Sequence, residues 1–156
     1  MNIEFKEIDK SNYEDCIKLK VAKEHEDFVA PNWYSLVQAA YEPKMFPLGI
    51  YKEDKMVGFI LYDFDYELNG WSMSRFMIDK DSQNQGIGAV ALSKFIEMFT
   101  NMYGAKKLFT SVSITNHGAM SLYEKFGFVK IDTSEYEYDG KTFVEHHMVL
   151  ETGSNQ

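Results

Sequence analysis

The run from Phe76 to Tyr103 constrains the fold more than any other. Phe76-Met77-Ile78 reads as the end of a strand, 79–85 is polar, and Gly86-Ile87-Gly88 opens a helix. Ile87, Ala91, Phe95, Phe99 and Met102 then fall on one face at helical spacing, which predicts a long amphipathic helix over 86–103 that Gly104 stops. A strand turning through such a loop into a helix aims unpaired backbone N–H groups and the positive helix end at one spot. That spot suits a pyrophosphate, and glycine lets backbone approach it. A loop that needs glycine only for its turn is the plainer alternative. No Lys-Ser or Lys-Thr follows the glycines, which excludes a P-loop. The run also lacks the N-terminal βαβ placement of a Rossmann fingerprint.

Around this run the pattern is rich in strands. Ile3 and Phe5 alternate with Glu4 and Lys6 as a strand, and Ser11-Asn12 starts a helix over about 12–25. A second helix is expected over 33–41, with Pro43 and Pro47 closing that region. Segments 48–52 and 56–64 form a hairpin, and Asn69-Gly70 turns into a strand over 71–79. After the long helix come a strand over 107–114, a short helix over 117–126 and a hairpin of 128–138 with 142–150 around Asp139-Gly140. The expected class is a mixed α/β sheet in one domain, 1–150, with 151–156 a frayed polar tail.

Composition narrows the function classes. Apolar residues make up 45% and charged residues 26%, as in ordinary globular proteins. No apolar run approaches the roughly 20 residues that span a bilayer, and the first residues lack the order of a signal peptide. A cytoplasmic protein is therefore expected, without a membrane partner. Cys16 is the sole cysteine, which excludes an intrachain disulfide and a cysteine metal cluster. The net charge of −8 disfavours nucleic acid and suits a cationic small molecule, although solubility alone also explains it.

Two motifs carry a family resemblance. Gln83-x-x-Gly86-x-Gly88 resembles the pyrophosphate motif of the GCN5-related N-acetyltransferases, Gln/Arg-x-x-Gly-x-Gly/Ala. Asn116-His117-Gly118-Ala119-Met120-Ser121-Leu122-Tyr123-Glu124-Lys125-Phe126-Gly127-Phe128 is similar to that family's Asn-x-x-Ala-x-x-Leu-Tyr-x-x-x-Gly-Phe. The resemblance implies a central, mostly antiparallel sheet of about six to seven strands with about four helices. It implies acetyl-coenzyme A as cosubstrate. Phe76, Met77 and Ile78 would pair with the pantetheine arm, and Gln83, Asn84, Gln85, Gly86, Ile87, Gly88 and Ala89 would hold the pyrophosphate. Asn116 would cap a helix or touch the cofactor, backbone near Met77 would polarise the thioester, and Tyr123 would protonate the departing thiolate. A core tyrosine is the alternative for Tyr123. Asn84 stands where many members have glycine, and Gln85 replaces a common Arg or Lys, for which Lys80, Lys94 or Lys125 could substitute.

Within the family the chain is similar to bacterial spermine/spermidine and diamine acetyltransferases, which implies a primary amine as the acceptor. Several of those enzymes carry a carboxylate just before the position of Arg75, where this chain has Ser74. A base, if one is needed, must then come from elsewhere: Glu24, Glu26 and Asp27, near the aromatics Phe28, Trp33 and Tyr34, or Asp63, Asp65 and Glu67, of which Asp63 and Asp65 share a strand face. A solvated strand face is the alternative for the aspartates. His25 and His117 are weaker candidates. No metal is expected, since His146 and His147 alternate across a strand and no cysteine partners them. Other readings are a protein N-terminus or antibiotic amine as acceptor, or a non-catalytic acyl-coenzyme A-binding module. Relatives suggest a homodimer by analogy.

Overall fold

Period-two alternation buries Ile3 of β1 (Ile3–Glu7) and leaves Glu4 in solvent, which places that strand over a core. The computed structural model describes residues 1–104 and 106–153. After β1 come α1 (Tyr13–Lys18), a 3-10 segment (Lys23–Phe28), α2 (Asn32–Tyr41), and strands β2 (Met45–Lys52), β3 (Lys55–Asp65) and β4 (Gly70–Ile78). A short 3-10 turn, Lys80–Ser82, leads to α3 (Ile87–Tyr103), β5 (Lys107–Ser113), α4 (His117–Lys125), β6 (Val129–Tyr138) and β7 (Lys141–Glu151).

The strands make one seven-stranded sheet in the order β1-β2-β3-β4-β5-β7-β6. Among the described residues β4 and β5 pair in parallel, and the other pairings are antiparallel. One face packs on α3 and α4 through Leu92, Phe95, Phe99, Tyr123 and Phe128. The other packs on α1 and α2 through Cys16, Leu19, Phe59, Leu61 and Met77. Cys16 is fully buried, and burial pushes its thiol up to about 12, so it is an inert core residue.

Four local expectations need correction. The first helix ends at Lys18 instead of running to 25. The Lys20 N–H bonds the Asp79 carboxylate at 2.8 Å, and the Lys80 N–H bonds the Lys20 carbonyl at 2.7 Å, so the end of β4 captures this backbone. Pro47 lies within β2, just before the rungs with β1 begin at Leu48. Met102 is 57% exposed, beyond the edge of the core that buries the other four residues of its stripe. In the expected tail, Glu151 continues β7 and Thr152 is 5% exposed, its hydroxyl bonding the Lys106 carbonyl. Residues 154–156 of that tail lie outside the described residues.

Candidate active site

Two adjacent strands part company at the centre of the sheet. β4 and β5 pair at three positions, Trp71 with Leu108, Ser72 with Phe109 and Met73 with Thr110. Beyond Met73, β4 continues to Ile78 against β3, while β5 continues to Ser113 against β7. The divergence opens a cleft of about 1380 Å³ lined along its length by Phe76, Met77, Ile78, Gln83, Asn84, Gly86, Ile87, Gly88, Asn116 and Tyr123. The fork exposes strand edges that an extended, amide-bearing arm can pair with.

The wide end of the fork meets the start of α3. Asn84 (φ 64) and Gly86 (φ 80) take left-handed backbone, as the asparagine substitution permits. The Gln83 side chain donates to the Ile78 carbonyl at 3.1 Å and ties the loop to the end of β4. No side chain caps α3, and a Cβ placed on Gly86 would meet nothing within 4 Å. The 17-residue helix thus begins without a side-chain cap, at Gly86, Ile87 and Gly88, which line the cleft, an arrangement that fits a pyrophosphate. Gln85 and Ala89 do not line the cleft, and Gln85 accepts from Lys52 at 3.3 Å. Lys80, Lys94 and Lys125 do not line it either; the Lys94 ammonium is held by the Ile3 carbonyl at 3.1 Å.

At the narrow end, the Thr110 hydroxyl donates to the Met73 carbonyl at 2.9 Å. The Tyr123 phenol borders that hydroxyl, projected from α4, whose N-terminus Asn116 caps by accepting from Ala119 N at 3.2 Å. Tyr123 is 6% exposed, packs on Phe128 at 5.4 Å between ring centroids, and lines the cleft. Burial pushes its phenol up to about 12, with the Thr110 hydroxyl pulling the other way, so the oxygen keeps its hydrogen through neutral pH.

The remaining candidates separate. Glu26 lines the cleft beside Phe28, Trp33 and Tyr34, whereas exposed Glu24 does not. His25 lines it, stacked on Phe28 at 5.1 Å; His117 does not. Asp65 lines the cleft but also accepts from the Glu67 and Leu68 N–H groups, shaping its turn. Asp63 is withdrawn behind the strand, 9% exposed, and accepts a hydrogen bond from Ser74. Among the described residues no group of three or more His, Cys, Asp or Glu side chains could hold a metal.

Arg75, Glu145 and His147 are among the lining residues that sequence reasoning did not single out as site residues. Arg75 donates to the Ser74 carbonyl at 3.0 Å and to Gln38 at 3.3 Å, while its Nε is buried with no partner among the described residues. Glu145 is partly buried; burial raises its pKa, and His147 and Arg75 pull it back. His147 is held at both nitrogens, by Ser111 at 3.1 Å and Ser134 at 2.7 Å. Alternation along β7 puts Phe143, Glu145 and His147 on one face, but which face looks into the cleft depends on β7 lying between β5 and β6.

Comparison with known proteins agrees with this geometry. The Acetyltransferase (GNAT) family matches residues 5–128. A spermine/spermidine N(1)-acetyltransferase of Bacillus subtilis (strain 168) is 29% identical over 135 residues, covering 82% of this chain and 88% of that protein. The spermidine N-acetyltransferase of Vibrio cholerae, solved in complex with CoA and spermine, superposes with a TM-score of 0.76 at 13% identity, covering 96% of this chain and 95% of that one. The ribosomal-protein-S18-alanine N-acetyltransferase of Escherichia coli superposes with a TM-score of 0.73 at 17% identity, over 99% of each chain. The chain belongs to the GNAT family and is an acetyl-CoA-dependent N-acetyltransferase.

Proposed function

We propose that the protein acetylates a primary amine of a small, flexible cation, with spermidine and spermine the favoured acceptors. The observation that carries this reading is the charge of the acceptor wall. Glu26, Asp27, Asp65, Glu67, Asp132, Asp139 and Glu145 line the cleft against the cations Arg75 and Lys141, and Lys141 is already paired with Asp27 at 3.4 Å. Aromatic Phe28, Trp33, Tyr34 and Tyr136 stand among them. Carboxylates beside aromatic faces favour ammonium groups on a methylene chain. The Bacillus relative, named for spermine and spermidine, supports the same acceptor class.

Acetyl-coenzyme A, when bound, supplies an activated acyl group. The loop 83–88 and the α3 N-terminus suit its pyrophosphate, and the β4 edge at Phe76–Ile78 suits its amide-bearing arm. Tyr123, at the narrow end of the fork, offers its phenolic hydrogen to the leaving sulfur. The amine attacks directly in a ternary complex, since the lone cysteine is buried on the α1 side of the sheet and cannot carry an acyl group.

An amine panel with thiol detection tests the reading: spermidine, spermine, putrescine, amino acids, peptides and aminoglycosides. Polyamines should show the highest kcat/KM, and the preference should weaken with added salt. Neutral or anionic acceptors outcompeting polyamines would overturn the acceptor class and leave acetyl transfer standing.

A further inference from the structure

β4 carries one residue more than β3 can pair. Leu61 pairs with Arg75 and Tyr62 with Met73, so Ser74 is the bulged residue. It is also the first β4 residue beyond the last rung with β5, Met73 with Thr110, and so stands at the crotch of the fork. Ser74 lines the large cleft and also a smaller pocket of about 310 Å³ behind it. Asp63 lines the rear pocket and not the cleft, and its carboxylate accepts the Ser74 hydroxyl hydrogen. The bulge places Ser74 between the two pockets, with its hydroxyl donating to the buried Asp63 carboxylate.

We propose that Ser74 and Asp63 form a two-member relay that takes the proton from the acceptor amine. The inference rests on the acetyl-transfer reading. From the acceptor nitrogen in its neutral amine form, the first proton having left to solvent, an N–H proton passes to Ser74 Oγ as the Ser74 hydroxyl proton passes to Asp63. The nitrogen forms its bond to the acyl carbon, the carbon–sulfur bond breaks, and sulfur takes the Tyr123 proton. The proton gained by Asp63 and the one lost by Tyr123 balance, and exchange with water resets both.

The surroundings suit a base. Burial raises the Asp63 pKa; Asp65 on its own strand and Glu42 after α2 push the same way, while the Ser74 hydrogen bond and Arg75 oppose them. Gln38 and Tyr66 complete the rear wall. A carboxylate whose pKa is raised in this way is a stronger base than an exposed one.

The test compares Ser74→Ala, Asp63→Asn and the double variant with the parent chain, using spermidine and acetyl-coenzyme A. Each single change should lower kcat/KM by about 10²-fold, the lower end of general-base effects, with acetyl-coenzyme A affinity unchanged by calorimetry. The double variant should be no worse than the poorer single one, because the two residues act as one unit. The acid limb of the parent's pH–rate profile should be absent from Asp63→Asn. Without substrates, carbon-13 NMR of the Asp63 carboxyl should show its pKa rise in Ser74→Ala, since a hydrogen bond to the charged form is lost. If Asp63→Asn fails to fold, Ser74→Ala carries both measurements. Parent-level turnover in either variant, multiplying defects in the double variant, or an unchanged Asp63 titration would overturn the relay. So would an acid limb that Asp63→Asn keeps and Glu145→Gln loses. A parent chain that turns over no amine in the panel removes the acetyl-transfer reading, and the relay with it.

Discussion

Thr110 donates its hydroxyl to the Met73 carbonyl at 2.9 Å, and this bond coincides with the last rung between β4 and β5. The bond is buried, with Thr110 3% exposed. It therefore marks where the sheet stops being continuous and the cleft begins. Thr110→Val keeps the shape and removes the donor. A buried acceptor deprived of its partner costs about 1–3 kcal/mol. Urea unfolding should show a loss of that size with an unchanged m-value. A neutral substitution would mean that the fork is held by backbone pairing alone.

Gly86→Glu should abolish acetyl-coenzyme A binding and leave the fold intact. The space around a Cβ at Gly86 is open, so no clash is expected, but the left-handed φ of 80° strains any L residue. Gly86→Ala measures that strain, about 1–2 kcal/mol. Calorimetry should find an affinity loss in Gly86→Glu well beyond that in Gly86→Ala, the excess being charge placed at the helix N-terminus. Equal losses would remove the pyrophosphate from this loop.

Tyr123→Phe should lower kcat by roughly 10²–10⁴-fold and leave acetyl-coenzyme A affinity nearly unchanged. With the phenol pushed up to about 12, transfer to a thiolate whose ordinary pKa is about 8.5 is uphill in water. A sulfur held beside the buried Tyr123 would be desolvated in turn, which raises the thiolate's basicity and narrows the gap. Stopped-flow thiol release would read the effect, and full activity in the variant would assign the proton to water.

Glu26→Gln and Glu24→Gln should differ although they lie two residues apart. Glu26 lines the cleft and Glu24 does not. Glu26→Gln should raise KM for spermidine more than for a monoamine of similar length, and salt should shrink the difference. Glu24→Gln should leave both KM values near the parent's. Equal effects would point to long-range attraction by the net charge of −8, with no specific acceptor contact.

Glu145→Gln should stabilise the protein near neutral pH. Burial raises the Glu145 pKa above the ordinary 4.5, against the pull of His147 and Arg75. The folded state thus binds this proton more tightly than the unfolded chain. That stabilising term is complete below the unfolded pKa and is lost as pH rises through the folded one. Glutamine has no charge to bury. The Tm of the variant should exceed the parent's at about pH 7.5 and converge with it below about pH 4. A difference independent of pH would mean that packing, and not ionisation, sets it.

The sequence by itself determined the parts of the site governed by short-range chemistry. The left-handed Asn84 and Gly86, the buried stripe of Ile87, Ala91, Phe95 and Phe99, the Asn116 cap and the turns at Asn69 and Asp139 each depend on residues a few positions apart. Propensity, periodicity and capping act at that range, so the loop, the long helix and the short helix bearing Tyr123 are legible in the sequence, while the family resemblance supplies the role expected of Tyr123.

Tertiary structure alone decided the acceptor side. Asp63 and Asp65, two apart on one strand, look equivalent in sequence; register and a bulge bury the first behind Ser74 and leave the second in the cleft. Glu145 and His147 reach the site because β7 lies between β5 and β6, a strand order that no local pattern encodes. Glu24 and Glu26 diverge because contacts with Asp79 and Lys80 end the first helix at Lys18 and leave a 3-10 segment to follow. Each outcome depends on which strand pairs with which, and at what register. That choice is made by burial across the whole sheet, where a shift of one residue exchanges the inner face for the outer.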